Sequence, residues 1–475
     1  MRLDLVLARS LVLSAAALVA VGCNDSRDGS GNGGADEDAG PTGPTQELRR
    51  IESLGVSNGA GCGVGASDTE AAFVFNLIDV DDDFVGPGAI VGGQTVAVGD
   101  TFSASNIGID EAVLYPSPDI PCATDADCAD SPVPNSLCLR LNSDDDRSET
   151  VCGAPTSVGI LQDGLSLVPG EAASGSKGVY VTMANGDSIK GFFEGESGDE
   201  FSSDPDGVRL DAVTTFLDRF DAAGFNDESV ACLSVFAGAS DTDHVTWLPD
   251  GEDNCFISLA DPDGRSSERI ADLQQVRVGR LPSAAGGRAV DAAISEGIDA
   301  FLGASEGASE GVSARFDRHL VVFTDGPDDG ADGGSNPVNG AYRYTRLVQR
   351  ANDANIKVHI IQLDASPTVG ETGALDEYAR MACETGGTYQ YVRDPEGLRG
   401  AFRSLAIGLD RRYALQLQFP DLEGLPAGAY RLSARVLMAV GGTTRDVYLN
   451  GDNTTVLGDP IDTRLTLFVR PVDED

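Results

Sequence analysis

The chain has 475 residues, a formal net charge of −43 and 41% hydrophobic residues. This length allows two or three domains with real cores. The negative charge excludes binding to nucleic acid or to anionic lipid headgroups, which requires clustered Lys and Arg. The histidines His244, His319 and His359 are the only three and lie far apart, so a zinc site or a histidine-based triad is poorly supplied.

The first 22 residues have the pattern of a bacterial export signal. Two arginines precede or border the uncharged apolar run LVLSAAALVAV at residues 11–21. This run has the length of a signal-peptide core and is shorter than the ~20 apolar residues that span a bilayer. A glycine and Cys23 follow at once, which resembles the lipobox of bacterial lipoproteins, although Ala20 stands where Leu is usual. The resemblance implies that residues 1–22 are removed and Cys23 is acylated; the alternative is an ordinary signal peptide with a chance cysteine.

Residues 23–45 are predicted to be the lipidated cysteine and a disordered tether. The segment after the cysteine, NDSRDGSGNGGADEDAGPTGPT, is rich in Gly, Asp and Pro and has no apolar periodicity. Such a segment cannot bury a core. We therefore expect the chain to be fixed to a bacterial membrane and to lie outside the cytoplasm. By analogy with lipoprotein sorting in enteric bacteria, Asn24 rather than Asp after the cysteine favours the outer membrane.

Residues 46–175 alternate short β-like runs with turns. The runs AFVFNLI at 72–78 and TVAV at 95–98 are strand candidates. We predict a β-rich region with a Cys-rich loop at residues 122–152 near its end. The sequence leaves the fold of this region unnamed.

Eight cysteines remain besides Cys23, an even number that suits an oxidising compartment. Half of them lie among Asp, Asn, Ser and Pro in the Cys-rich loop: Cys122, Cys128, Cys138 and Cys152. Their surroundings predict a loop held by two disulfides. Zinc is the alternative, but the spacings lack the short C-x₂-C knuckle that zinc prefers.

The other four cysteines are spread over the chain. Cys232 and Cys255 flank a predicted strand pair and are expected to bridge it. Cys62 and Cys383 would then pair by elimination.

From residue 177 to 410 the sequence changes to the strand–helix alternation of a doubly wound α/β sheet. The expected strands are at 178–183, 230–236, 319–324, 357–363 and 388–392. The expected helices are at 208–225, 289–302, 342–354, 375–385 and 396–410. Residues 411–475 contain β-like runs and predict a C-terminal β extension. The predicted fold class is α/β, a Rossmann-like sheet flanked by helices, preceded by the β-rich region and followed by this extension.

Four pieces of this α/β segment occur in the order of a known family: VYVTMANGDSIKG, GGRAVDAAI, HLVVFTDG and ETGGTYQYVRDPEGLRGAFRSLAIGLDRRYAL. The ordered set resembles a von Willebrand factor type A domain over residues 177–410, about half of the chain. The resemblance implies a ligand-binding edge at the carboxyl ends of the strands, where open α/β sheets generally bind ligands.

The resemblance also implies a metal-ion-dependent adhesion site. In the family, an Asp-x-Ser-x-Ser loop, a Thr and the Asp of a T-D-G turn hold Mg²⁺ or Mn²⁺, and an acidic group of the partner completes the coordination. Here Asp325 matches the T-D-G position. One alignment of the first loop places Ala184 at the leading Asp and Ser188 at the second Ser. Shifting by one residue places Asn185 and Asp187 at the first two ligand positions.

The family's Thr falls on Arg288 in the run GGR. Its guanidinium could replace the ion's charge by pairing with Asp325 and Asp187. We therefore expect a degenerate site. The alternative is a rebuilt site for a divalent cation formed by Asn185, Asp187, Ser188 and Asp325.

Other acidic loops could bind a divalent cation such as Ca²⁺ weakly, although none matches the EF-hand loop. The run DGPDDGAD lies beside the family's functional edge and supplies the preferred candidates, Asp328, Asp329 and Asp332.

Catalytic patterns are missing from the sequence: no G-x-S-x-G run stands between a predicted strand and a predicted helix as a nucleophile elbow does, and there is no GxxxxGK[ST] loop and no GxGxxG after a strand. We predict a non-enzymatic lipoprotein that binds another protein or a surface polymer through its A-like domain, without a metal. The alternatives are a structural or assembly lipoprotein of the cell envelope and a metal-dependent adhesin with the rebuilt site. A hydrolase in residues 46–175 has no residue to support it.

Overall fold

A computed structural model gives the architecture of the chain. It describes residues 45–46, 48–56, 70–79, 90–91, 94–95, 107–116, 120–140, 150–169, 176–186, 189, 192–193, 196–197, 203–204, 206–222, 229–237, 245–248, 255–258, 288–304, 311–328, 344–363, 376–392, 395–418, 425–426, 428–440, 443–448, 461–462 and 465–469. These residues all belong to one compact unit, Gly43–Asp475. The predicted signal peptide, Cys23 and most of the tether lie outside the described residues. No described helix is long and apolar enough to cross a membrane.

The elements in chain order fall into three groups. The strands before the α/β domain are β1 (Thr45–Gln46), β2 (Leu48–Val56), β3 (Glu70–Asp79), β4 (Ile90–Val91), β5 (Gln94–Thr95), β6 (Ile107–Pro116), β7 (Leu137–Arg140), β8 (Thr150–Pro155) and β9 (Gly159–Pro169). The strands of the α/β domain are β10 (Lys177–Ala184), β11 (Phe192–Phe193), β12 (Glu196–Ser197), β13 (Val230–Phe236), β14 (Val245–Leu248), β15 (Ile257–Ser258), β16 (Asp317–Thr324), β17 (Ile356–Leu363) and β18 (Tyr389–Val392). Its helices are α1 (Val208–Ala222), α2 (Val290–Leu302), α3 (Tyr344–Asp353), α4 (Asp376–Glu384) and α5 (Leu398–Asp410). The C-terminal strands are β19 (Arg411–Gln418), β20 (Gly428–Val440), β21 (Thr443–Tyr448), β22 (Ile461–Asp462) and β23 (Leu465–Val469).

The α/β domain is built on a sheet of order β14-β13-β10-β16-β17-β18, with β15 also paired to β13. The five strands from β13 to β18 along this order are parallel, and β14 adds an antiparallel edge. Strands β10 and β16 are buried along their whole length, which explains their continuous apolar runs. The predicted mixed α/β class is confirmed by this parallel sheet and its helices.

Aromatic side chains join the helices to both faces of the sheet. On one face, Phe402 of α5 lies 6.3 Å, between ring centroids, from Phe216 of α1 and from Phe323 of β16. On the other face, Phe301 of α2 lies 6.4 Å from Tyr180 of β10. Helices on both faces make the sheet doubly wound, and open sheets of this kind bind ligands outside the carboxyl ends of their strands.

The β-rich region and the C-terminal extension, which the sequence analysis treats as two segments, share two sheets. One has the order β2-β3-β19-β9, and the other the order β22-β21-β20-β6-β8-β7 with β23 on β20. Strand β19 lies between β3 and β9 and is antiparallel to both. Since α5 ends at Asp410 and β19 begins at the next residue, the chain returns from the α/β domain directly into this β structure.

Disulfides hold the Cys-rich loop as predicted. Cys122 is bonded to Cys138 and Cys128 to Cys152, with Cα separations of 5.7 and 5.2 Å. The four thiols that the zinc alternative needs are therefore used in disulfides.

The remaining cysteines are described in part. Cys232 and Cys255 are bonded to each other. Cys383 is disulfide-bonded to a cysteine outside the described residues. Its pairing with Cys62, which also lies outside them, stays a prediction.

The turn between α4 and β18 generates a stability prediction. A Cβ on Gly387 would overlap the carbonyl oxygen of Val358 in β17, and backbone cannot move aside cheaply. We expect Gly387→Ala to lower the free energy of unfolding by about 3 kcal/mol, as overpacking does. The control is Gly400→Ala in α5, where the nearest atom is 3.9 Å away and alanine is favoured over glycine by about 0.5–1 kcal/mol in a helix interior. Urea unfolding of both variants checks this; equal stability of the two would contradict the described turn.

Candidate functional site at the carboxyl edge of the sheet

Two of the predicted ligands lie side by side where neighbouring parallel strands end. Asn185 follows β10 and Asp325 follows β16, and these strands are paired up to Met183 and Phe323. Both side chains are buried, at 1% and 0% exposure. The backbone N–H of Asn185 donates to the carbonyl oxygen of Phe236, 2.7 Å away, and so ties this edge to β13. Asp187 and Ser188 lie outside the described residues.

Donors of this chain lie near Asp325, although its Oδ1 makes no hydrogen bond within the described residues. The hydroxyl of Ser203 donates to its Oδ2 at 2.6 Å. Arg288 Nη1 lies 3.6 Å from its Oδ1 and donates to its backbone carbonyl oxygen at 3.3 Å. A Cβ on the next residue, Gly326, would overlap the Arg288 guanidinium, so glycine is needed for this approach. A guanidinium therefore stands beside the carboxylate that the family uses for its ion.

A second buried ion pair lies next to Asn185. Asp204 accepts hydrogen bonds from the first two backbone N–H groups of α1, those of Val208 and Arg209, at 2.7 and 3.2 Å. The Arg209 side chain donates from Nη1 to Asp204 at 2.7 Å and from Nη2 to Asn185 Oδ1 at 3.2 Å. The negative side chain lies at the positive end of the helix, where it is stabilised. Arg209, held by Asp204, thus occupies Oδ1 of Asn185, whereas the buried Nδ2 of Asn185 makes no hydrogen bond within the described residues.

Sequence reasoning missed Ser203, Asp204 and Arg209. The run DPDG at 204–207 directly precedes the predicted helix 208–225, and an Asp at a helix start signals a capping role. That signal was sufficient to find Asp204. No local pattern indicates that Arg209 reaches Asn185, 24 residues away, or that Ser203 reaches Asp325, 122 residues away.

The described residues do not fit a resident Mg²⁺ or Mn²⁺. These ions need several oxygen ligands converging on one point. Here Asn185 Oδ1 accepts from a guanidinium, and the two oxygens of Asp325 face a hydroxyl and a second guanidinium. Within the described part of the chain, the groups with metal-ligand proximity are Cys122, Cys128 and Cys152, which are disulfide-bonded.

Carboxyl groups also gather beside this edge. The backbone N–H of Asp291, in the first turn of α2, donates to Asp328 Oδ2 at 2.7 Å. Burial, together with the charges of Asp328 and Glu377, raises the pKa of Asp291 to about 8. Glu377 is exposed as a residue, but partial burial of its carboxyl group and the charge of Asp328 also raise its pKa. Burial and mutual repulsion therefore disfavour ionising Asp291, Asp328 and Glu377 together; Asp329 and Asp332 lie outside the described residues.

His319 and His359 are not part of this edge. His319 and His359 lie in the central strands β16 and β17, at 3% and 1% exposure, with 3.0 Å between Nδ1 of the first and Nε2 of the second. His319 Nε2 lies 2.9 Å from Asp317, the first residue of β16. The pair thus faces the amino ends of the strands. The side chain of His244 lies outside the described residues.

Comparisons with known proteins give fold neighbours. No protein-family model matches the chain, and a comparison with curated proteins finds no match. Among solved structures, a von Willebrand factor type A protein from Catenulispora acidiphila is similar at 12% identity and a TM-score of 0.33, covering 67% of this chain and 74% of that one. The pilus adhesin SpaC from Lactobacillus rhamnosus GG is similar at 9% identity and a TM-score of 0.33, covering 60% of this chain and 45% of the adhesin.

A third similar structure is an aerotolerance-related membrane protein from Bacteroides fragilis NCTC 9343, at 15% identity and a TM-score of 0.28, covering 49% of this chain and 98% of that one. This chain spans less than half of the adhesin. Likeness at these identities concerns the fold alone.

The two guanidiniums generate a prediction about metal binding. We expect calorimetric titration of the protein after chelation to show no saturable binding of Mg²⁺ or Mn²⁺, because Arg288 and Arg209 already neutralise Asp325 and Asp204. Arg288→Met should gain binding, since it leaves the buried Asp325 carboxylate without its cation. Asp325→Ala is the matched control and should not bind. Tight binding by the natural protein that is lost in Asp325→Ala would contradict the degenerate site and support the rebuilt one.

Proposed function

We propose that this protein is a lipid-anchored, extracytoplasmic binding protein that holds another protein or a surface polymer at the carboxyl edge of its α/β sheet without a metal ion. The observation that carries the proposal is the Arg288 guanidinium 3.6 Å from Asp325. In an adhesion site of the family that the sequence resembles, an ion would link the equivalent carboxylate to the partner. Here the Arg288 guanidinium already supplies the positive charge. Side chains of the surrounding loops would therefore contact the partner.

The surroundings of this edge support a binding role. Loops at the carboxyl end of an open α/β sheet are the usual place for ligands, and binding residues are frequent on loops held by a rigid scaffold. Asp206 and Glu377 are exposed there. With a net charge of −43 for the chain, this acidic rim favours a partner surface of positive charge through electrostatic complementarity.

Catalysis is not part of the proposal. An acid–base catalyst must come within hydrogen-bond reach of a substrate, whereas His319 and His359 are buried in the sheet. At the carboxyl edge, Ser203 and Arg288 are each engaged with the buried Asp325. This arrangement suits a stable binding surface.

The binding role is tested by site-specific photo-cross-linking in cells that produce the full chain. A photoreactive residue at Glu377, on the carboxyl edge, is expected to give a discrete cross-linked product that persists when EDTA is added. The matched position is Arg315, exposed just before β16 at the opposite ends of the strands, where no product is expected. Loss of the Glu377 product in EDTA would favour a metal-dependent adhesin. A product from Arg315 alone would favour an assembly protein that uses this domain as a scaffold.

Membrane anchoring rests on the first 23 residues. We expect the mature chain to begin at an acylated Cys23 and to fractionate with membranes, because two acyl chains anchor a protein stably where one is marginal. Mass spectrometry of the N-terminal peptide and membrane fractionation measure this. Cys23→Ser should lose both the lipid and the membrane association, whereas Gly22→Ala keeps a small residue before the cysteine and should retain them. A soluble mature chain with an unmodified Cys23 would show an ordinary signal peptide.

A further inference from the structure

Sulfur atoms of two different disulfides meet in the Cys-rich loop. Cys122 is bonded to Cys138, and Cys128 to Cys152. Nevertheless, the Sγ atoms of Cys122, Cys128 and Cys152 all lie within 4.8 Å of one another. No other cysteine among the described residues takes part in such a group. Cys122 is therefore close to both sulfurs of a disulfide to which it does not belong.

The strand register brings the fourth cysteine opposite Cys152. Cys138 of β7 and Cys152 of β8 are direct partners in the antiparallel pairing. Their backbone N–H groups donate elsewhere, to Asp125 Oδ1 at 2.9 Å and to the carbonyl oxygen of Ile120 at 2.9 Å. They therefore form a non-hydrogen-bonded pair, for which a Cα separation of about 4.5 Å is typical. Disulfides span separations of about 4.4–6.8 Å, so a Cys138–Cys152 bond fits this register.

The four cysteines thus have two sets of partners within reach. The first set is the observed one. The second consists of Cys122–Cys128, whose sulfurs are already close, and Cys138–Cys152, whose strands place them opposite each other. Both sets leave β7 paired with β8, so neither requires the hairpin to open.

The solvent exposure of the four cysteines determines which disulfide reacts first when one set converts to the other. Cys128 and Cys152 are buried, at 5% and 0% exposure. Cys122 and Cys138 are both partly exposed. Access controls the attack of a thiolate on a disulfide, so a thiol from solvent reaches the Cys122–Cys138 bond first.

We propose that the Cys-rich loop is a thiol–disulfide exchange site that takes a small thiol as its catalyst. The thiolate attacks Cys138 Sγ, forms a mixed disulfide there and releases the Cys122 thiolate. Cys122 attacks Cys128 Sγ, which forms Cys122–Cys128 and releases the Cys152 thiolate. Cys152 then attacks Cys138 Sγ, forms Cys138–Cys152 and releases the small thiol. Nothing is oxidised or reduced overall, and the thiol is regenerated.

The exchange changes what the loop is bonded to. In the observed set, both ends of the segment 122–128, which contains the short 3₁₀ turn Asp125–Cys128, are bonded to the β7–β8 hairpin. In the second set this segment is closed by its own disulfide and has no disulfide bond to the hairpin. The exposed acidic turn is then no longer fixed to the hairpin by disulfides. The hairpin gains the cross-strand Cys138–Cys152 bond. The site is independent of the carboxyl edge and of the binding role proposed for it.

The first test uses the purified full chain and reduced glutathione as the small thiol, under native, mildly alkaline conditions. After alkylation, cleavage before aspartate separates the four cysteines, and mass spectrometry identifies the pairs. We expect Cys122–Cys128 and Cys138–Cys152 peptides to accumulate over seconds to hours, the range for disulfide reshuffling. The buried Cys232–Cys255 pair is the internal control and should stay unchanged. Simple glutathione adducts beside only the observed pairs would overturn the proposal.

The second test starts the exchange by mutation and needs no added thiol. Cys122→Ser leaves a thiol on Cys138, which is expected to move to Cys128 as Cys138–Cys152 forms. Cys138→Ser leaves a thiol on Cys122, which is expected to move to Cys152 as Cys122–Cys128 forms. An intact Cys232–Cys255 pair and an unchanged circular dichroism spectrum identify folded variants. A thiol that stays at the position where the mutation left it, in a folded variant, would overturn the proposal; if a variant does not fold, the glutathione experiment decides alone.

Discussion

The structure of the α/β domain depends on pairing the carboxylates that its sheet buries. Asp317, at the amino end of the central strand, lies 3.1 Å from Lys177 of β10 and 3.1 Å from Lys357 of β17. Burial by itself would raise the pKa of Asp317, but His319 and the two lysines hold it well below its usual value. A buried ion left without its partner costs several kcal/mol. One carboxylate therefore holds three neighbouring strands together at this end.

The same constraint applies at the opposite end of the sheet and bears there on function. The buried carboxylate of Asp325 is paired with Arg288, and that of Asp204 is paired with Arg209. Arg288 links the start of α2 to the end of β16, and Arg209 links the start of α1 to Asn185 after β10, so the carboxylates of this edge are paired within the protein. A divalent cation would have to displace these guanidiniums before it could bind. For this reason we propose that loops form the binding surface. The buried charges lie beneath these loops and do not reach the partner through a metal ion.

The two β sheets fix how the α/β domain is joined to the rest of its unit. Strand β19 lies beside β9, the strand from which the chain goes on to the α/β domain, and Arg411 of β19 is opposite Pro169 of β9. The side-chain amide of Asn76 in β3 donates to the carbonyl oxygen of Ser404 in α5, 3.0 Å away. The chain thus leaves and returns at paired strands, and both connections are short. The Cys-rich loop belongs to the other sheet, so its proposed exchange leaves these connections intact.

The sequence by itself determined the features that depend on near neighbours: the alternation of strands and helices, the buried strand HLVVFT ending at Asp325, and the loop with four cysteines. Periodicity reports which residues are buried locally, and it predicted the mixed α/β class for that reason. Only the tertiary structure decided the disulfide connectivity in the loop, the place of β19 between β3 and β9, and the meeting of Ser203 with Asp325. These features join residues far apart in the chain, 122 positions in the last case. Charge neutralisation and strand pairing depend on distance in space, which no local pattern records.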